Sequence, residues 1–171
     1  MAVRDIVTLP DPVLRRKAHK VTVFDKDLQV LIDDMIETMR EAPGVGLAAP
    51  QIGKSIRLIV VEYGGNEEGE ENEDDKKNLY VVVNPEITEA SEEKVLGAEG
   101  CLSVPNLVGE VERHTEITVK GLNRLGRPWK KKMTGWLARI FQHEMDHLDG
   151  VVFPDKAVRV WTPREGEEIS D

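Results

Sequence analysis

Apolar residues recur along this chain with two different periods. From Asp25 onward, Leu28, Leu31, Ile32, Met35, Ile36 and Met39 fall three and four residues apart, which places them on one stripe of an amphipathic helix. Asp25 suits its N-cap, and Pro43 with Gly44 ends it. These leucines and methionines read as core rather than as a cofactor site. A second helix is expected after Thr134, carrying WLARIFQHEMDHLD and closed by Gly150. Asp11 before Pro12 reads as the cap and first-turn proline of a short helix over VLRRKA. Residues 57–63 (RLIVVEY) and 79–84 (LYVVVN) are β-branched runs bounded by turn residues, and they read as buried strands. Residues 115–122 and 127–133 flank the turn NRLG, which suggests an antiparallel hairpin. No internal repeat is present, and strands mixed with two well-separated helices point to an α+β fold rather than alternating α/β.

A length of 171 residues with 40% hydrophobic content suits one core, so a single domain over 1–171 is expected. The tail from Lys156 holds one apolar pattern, AVRVW, and then turns polar and acidic, as a frayed end does. No apolar run reaches the length of a signal peptide or a membrane span, so a soluble intracellular protein is expected.

The net charge of −9 is unevenly spread. Residues 64–77 contain seven acids and two lysines and so carry −5 of it, without one apolar residue to bury. That segment is expected to be a mobile, solvated loop. The remainder is mildly acidic, which argues against stable nucleic-acid binding. Lys130, Lys131 and Lys132 lie on the second arm of the expected hairpin, where an exposed edge with lysines discourages edge-to-edge pairing. Contact with ribosomal RNA is the lesser reading of that run.

Three segments carry candidate chemistry. His143, Glu144 and His147 form H-E-x-x-H inside the second helix, with both imidazoles on one face about a turn apart. Two imidazoles so placed can hold one metal ion, and Glu144 can take a proton from water beside it. The bland alternative is two histidines satisfied structurally on an apolar helix. A catalytic site of this kind uses three protein ligands. Downstream, only acids in DHLDG and in the tail could supply the third. Upstream, the single cysteine lies in Glu99-Gly100-Cys101-Leu102-Ser103. One cysteine makes no internal disulfide, so Cys101 is a buried small residue, a reactive thiol or a ligand, and the unfilled shell favours the ligand. The third segment, GVGLAAPQIG from Gly44 to Gly53, reads as a tight loop rather than a helix or ordinary strand. Its spacing fits neither a dinucleotide fingerprint nor a P-loop.

Together these segments resemble the peptide deformylases, whose motifs are G-x-G-x-A-A-x-Q, E-G-C-x-S and H-E-x-x-H. GVGLAAPQ, EGCLS and QHEMDH match them in order, and the resemblance spans nearly the whole chain, including D-P-V-L-R near its start. It implies antiparallel sheets packed around the H-E-x-x-H helix, and a hydrolase that removes the formyl group from the N-terminal formyl-methionine of new polypeptides. Carried over by position, Cys101, His143 and His147 would bind the metal and Glu144 would act as acid and base. Gln51 and the Leu102 N–H would stabilise the oxyanion. Val45, Trp136, the stem of Arg139 and Ile140 would line the methionine slot, with Val45, Gly46 and Glu99 meeting the substrate backbone. The implied ion is iron(II), with zinc, nickel or cobalt accepted by the same donors. The implied setting is a cytoplasmic monomer that visits the ribosome exit region and no membrane. Two departures stand out: the acidic loop after Tyr63 lengthens a strand connection, and only 24 residues follow His147, too few for the long C-terminal helix of some relatives. A zinc metallopeptidase and a closed structural metal site are the rival readings.

Overall fold

The computed structural model describes residues 2–64 and 77–163. The acidic segment expected to be mobile and the last eight residues lie outside them, apart from Gly64 and Lys77.

The stripe beginning at Leu28 forms helix α1, Lys26–Glu41, and Asp25 caps it by accepting the Leu28 N–H at 3.0 Å. The next segment was expected to be a loop, yet Gly46–Ala48 pairs as strand β1 with β2, Leu58–Tyr63, and Ala49–Ile52 forms a single 3₁₀ turn. Small residues allow this close approach, which a pattern of side chains does not announce. The run at 79–84 is longer than expected: β3 spans Asn78–Ala90. Two strands that hydrophobic alternation did not suggest follow it, β4 at Lys94–Cys101 and β5 at Val104–His114. The expected hairpin is β6, Glu116–Leu122, with β7, Pro128–Thr134. Helix α2 spans Gly135–Leu148, with Thr134 at the N-cap and Gly150, at φ +76°, just beyond its end. A short helix α3, Phe153–Lys156, leads into β8, Ala157–Trp161. The AVRVW pattern is an edge strand bonded to β5, and the polar, acidic end expected to fray after it falls outside the described residues from 164 on. The helix expected over VLRRKA is a 3₁₀ turn of four residues, Pro12–Arg15, still capped by Asp11.

All strand pairs in the two sheets are antiparallel: one sheet runs β1-β2-β3-β6-β7, the other β4-β5-β8. The first sheet is covered on both faces. Leu58 and Val60 pack with the α1 stripe, whereas Ile59 and Val61 pack with Phe141, Met145 and Leu148 of α2. Double coverage explains why RLIVVEY is a continuous apolar run. The second sheet lies on the remaining side of α2, so that helix is the middle layer of an α+β fold. Lys130–Lys132 sit on β7, an edge strand as expected, with Lys132 bridging to Glu116.

The N-terminal segment laces these layers together. Val7 N–H donates to Gln51 O (2.8 Å), Leu9 N–H to Ser103 O (2.9 Å) and Ala18 N–H to Leu148 O (2.8 Å). It thereby touches each of the three motif-bearing segments from behind.

Candidate metal centre

Helix geometry alone puts His143 and His147 on the same side of α2, with ring centroids 5.2 Å apart. The third donor comes from the end of β4. The tight turn at Leu102 and Ser103, between the paired Cys101 and Val104, aims Cys101 Sγ at the helix. Cys101 Sγ lies 3.3 Å from His147 Nε2, and one donor atom from each of Cys101, His143 and His147 falls within 4.8 Å of the others. All three are buried. One thiol and two imidazoles, converging without an intervening side chain, form a donor set suited to a borderline-soft divalent ion. Such an ion therefore fits the residues present.

Each histidine is tuned differently. His143 Nδ1 donates to Glu99 Oε1 at 2.9 Å, and its ring stacks on Phe153 with centroids 6.2 Å apart. Burial opposes its protonation, but Cys101, Glu99 and Glu144 outweigh that and hold its pKa well above the ordinary imidazole range. His147 is held well below that range, first by burial and then by the positive charges of His143 and Arg113. It is a neutral imidazole, the form that ligates metals. Its Nδ1 finds no hydrogen-bond partner among the described residues.

Behind the donors sits an ionic network of which the motifs revealed only Glu99. Arg113 of β5 donates to both Glu99 oxygens (2.8 and 2.9 Å) and also to Asp146 of α2. Arg139 donates to Glu99 Oε2 at 2.6 Å. Burial opposes ionisation of Glu99, but the Arg113 guanidinium and His143 outweigh it, and the carboxyl stays below its usual range. A buried acid inside E-G-C demanded a cation somewhere, and that demand was the available signal for Arg113. Asp146 and Asp149, once candidates for the third ligand, are engaged elsewhere: Asp146 by Arg113 and Lys156, Asp149 by Arg57.

Glu144 lies against β1. A Cβ built on Gly46 would meet Glu144 Oε2 at 2.6 Å, so only glycine leaves space for that carboxylate. Gln51 enters from the other side of the centre. Its Oε1 accepts the Ala48 N–H (3.0 Å), which turns Nε2 toward Ser103 Oγ (3.2 Å) and Cys101 Sγ (3.6 Å). Leu102 is half-buried in the turn directly after Cys101. Val45, Trp136 and Ile140 belong to one cluster beside β2, and Arg139 lies over the Trp136 ring at 5.5 Å. Glu99 keeps its carboxylate inside the protein, so only its main chain is left for a substrate. A cavity of about 230 Å³ opens on Cys101 and Leu102, lined also by Pro43, Pro105, Asn106 and Leu107, none of which the motifs singled out.

The model of the polypeptide deformylase family matches residues 3–161. The chain belongs to that family. It is 50% identical to the peptide deformylase of Halothermothrix orenii over 169 residues, 99% of each chain. With peptide deformylase 1 of Bacillus subtilis it shares 49% over 165 residues, 96% of each. The crystal structure of the Thermotoga maritima peptide deformylase superposes with a TM-score of 0.82 at 40% identity, covering 93% of this chain and all of that one. Deformylases are metal-dependent hydrolases that remove the formyl group from the N-terminus of new polypeptides, and this chain is an enzyme of that kind. The rival readings, a zinc metallopeptidase and a purely structural metal site, fall with that membership.

Proposed function

We propose that Cys101, His143 and His147 hold one divalent ion, iron(II) in the cell, and that Glu144, Gln51 and Leu102 perform the hydrolysis beside it. The observation that carries this reading is the convergence of one thiol and two imidazoles within 4.8 Å, with the Glu144 carboxylate pressed against Gly46. When bound, the ion supplies a Lewis acid for the formyl oxygen and lowers the pKa of water toward neutrality. Glu144 accepts a proton from the attacking water at its carboxylate and passes it to the nitrogen as the C–N bond breaks, releasing formate and a free amine. Gln51 Nε2, held by the Ala48 hydrogen bond, and the Leu102 N–H donate to the oxygen that becomes negative in the transition state. Because the Ala48 bond fixes the amide in advance, little reorganisation accompanies that charge.

Val45, Trp136, Ile140 and the stem of Arg139 form the methionine slot, and the Val45–Gly46 strand end and Glu99 main chain align the substrate backbone. The cavity at Cys101 and Leu102 gives the formylated end of a peptide access to the metal donors. Thiolate and imidazole also accept zinc, nickel or cobalt, so the ion found after purification depends on supply. The enzyme works as a monomer in the cytoplasm and meets its substrates at the ribosome exit region. No helix among the described residues is long and apolar enough to cross a membrane.

The test is anaerobic hydrolysis of formyl-Met-Ala-Ser by iron(II)-loaded protein, beside Cys101→Ala. Formate release by the parent and loss of both iron and activity in the variant are expected. A variant that keeps its iron and its rate removes Cys101 from the ligand set.

A further inference from the structure

The donor set is divided between two elements. Cys101 ends β4, whereas His143 and His147 ride on α2, and nothing in the covalent chain holds the two at ligand distance. The apolar face of α2 packs on the other sheet, through Phe141, Met145 and Leu148. The face toward β4 and β5 must be fixed by something else.

We infer that Arg139 is a positioning residue that sets the spacing between α2 and the β4–β5 pair, and that Gly97 serves to admit it. This inference rests on the metal reading given above. Arg139 Nη1 donates to Glu99 Oε2 (2.6 Å) and Val111 O (3.0 Å), and Nη2 donates to Val95 O (2.7 Å). One planar group from the helix thus holds acceptors on both strands, and one acceptor is the carboxylate that orients His143. Guanidinium geometry suits three acceptors in fixed directions; an ammonium would act as a point charge and hold fewer of them.

Gly97 is opposite Val111 in the ladder, and a Cβ there would lie 2.7 Å from Arg139 Cζ and 2.9 Å from Nε. Arg139 is 4% exposed, so its head group has no solvent route for retreat. Alanine at 97 should therefore displace the guanidinium without changing it chemically. Arg113 makes the complementary link from β5 to Asp146, one residue before His147. The two arginines pin α2 one turn before His143, at Arg139, and again at Asp146 beside His147, so removing Arg139 loosens one point and leaves the other held.

The experiment measures zinc release to a chromophoric chelator from zinc-loaded parent, R139M, G97A and the double variant, with thermal unfolding of each metal-free protein alongside. Loss of a group that orients a ligand typically weakens metal binding about 10- to 100-fold. For Arg139, which acts through Glu99 and the strand spacing, we expect release about tenfold faster in R139M and in G97A. The double variant should release no faster than either single one, since both remove the same contact. R139K should stay nearer to R139M than to the parent. Release within twofold of the parent in R139M and G97A, whatever the change in thermal unfolding, would assign Arg139 to fold stability alone and overturn the inference. Additive effects would separate Gly97 from Arg139 and overturn the pairing. A parent that retains no zinc, although Cys101 is reduced, would overturn the metal reading and this inference with it.

Discussion

The two long helices are held by opposite chemistry. α1 meets the first sheet through an apolar stripe, with Ile32, Met35 and Met39 completely buried, while its buried Asp34 is paired away from that sheet with Arg4 of the N-terminal segment. α2 buries apolar residues on one face, but on the other it buries Arg139, His143, Glu144 and His147. Buried apolar groups cost nothing to leave unpaired, so α1 tolerates small adjustments. Buried charges are stable only as complete sets. α2 is consequently the less forgiving element, and it is the one that bears two of the three candidate metal donors.

Substitutions can test this contrast. The largest effect should come from Glu144→Ala, which removes the proposed proton carrier. Formate release should fall about 10²- to 10⁴-fold while metal content, read by atomic absorption, stays at the parental level; retention of the parental rate would remove Glu144 from the reaction. Glu99→Ala should come next. It strands Arg113 and Arg139 without their shared carboxylate, and losing one partner of a buried pair costs about 3–5 kcal/mol. Urea denaturation should report that loss together with faster metal release. Ile32→Ala, in the apolar region, should cost about 2–5 kcal/mol in the same assay, yet leave kcat of the folded fraction within about twofold. A matching fall in kcat would mean that the two regions are not separable.

The smallest effect should come from Asp34→Asn. Asp34 accepts from Arg4 Nε at 2.9 Å and from the Ala2 N–H at 2.8 Å, and these bonds, the arginine foremost, hold its carboxyl below the usual range. A lowered folded-state pKa contributes stability above the ordinary value, 3.8, which is lost as pH falls through the folded value. The variant should therefore unfold with about 1 kcal/mol less free energy at pH 7, and the gap should close below about pH 4. An unchanged gap at pH 3 would point away from the carboxylate.

The same contrast decided what could be read in advance. α1 was visible from its stripe, β2 from its unbroken apolar run and α2 from its caps and motif. β4 and β5 were not visible, and their inward positions explain it: Gly97, Glu99 and Arg113 interrupt the alternation that marks a half-buried strand. The rule failed where the buried face is ionic. β1 was hidden for a related reason, because Gly46 and Ala48 approach their neighbours through small size rather than through apolar bulk. The candidate metal donors were legible through H-E-x-x-H and a lone cysteine. The groups that hold Glu99, namely Arg113 and the head of Arg139, were not, because no motif spacing joins residues that meet only across a helix and two strands.

The lacing at the beginning of the described chain carries a consequence for the order of assembly. Residues 7, 9 and 18 bond to positions 51, 103 and 148, so this stretch docks against partners synthesised well after it. Contacts of such long sequence separation form slowly, because loop closure must come before they can stabilise anything. The candidate metal centre is therefore completed only after these distant contacts close, and a nascent copy still short of Leu148 lacks one of them.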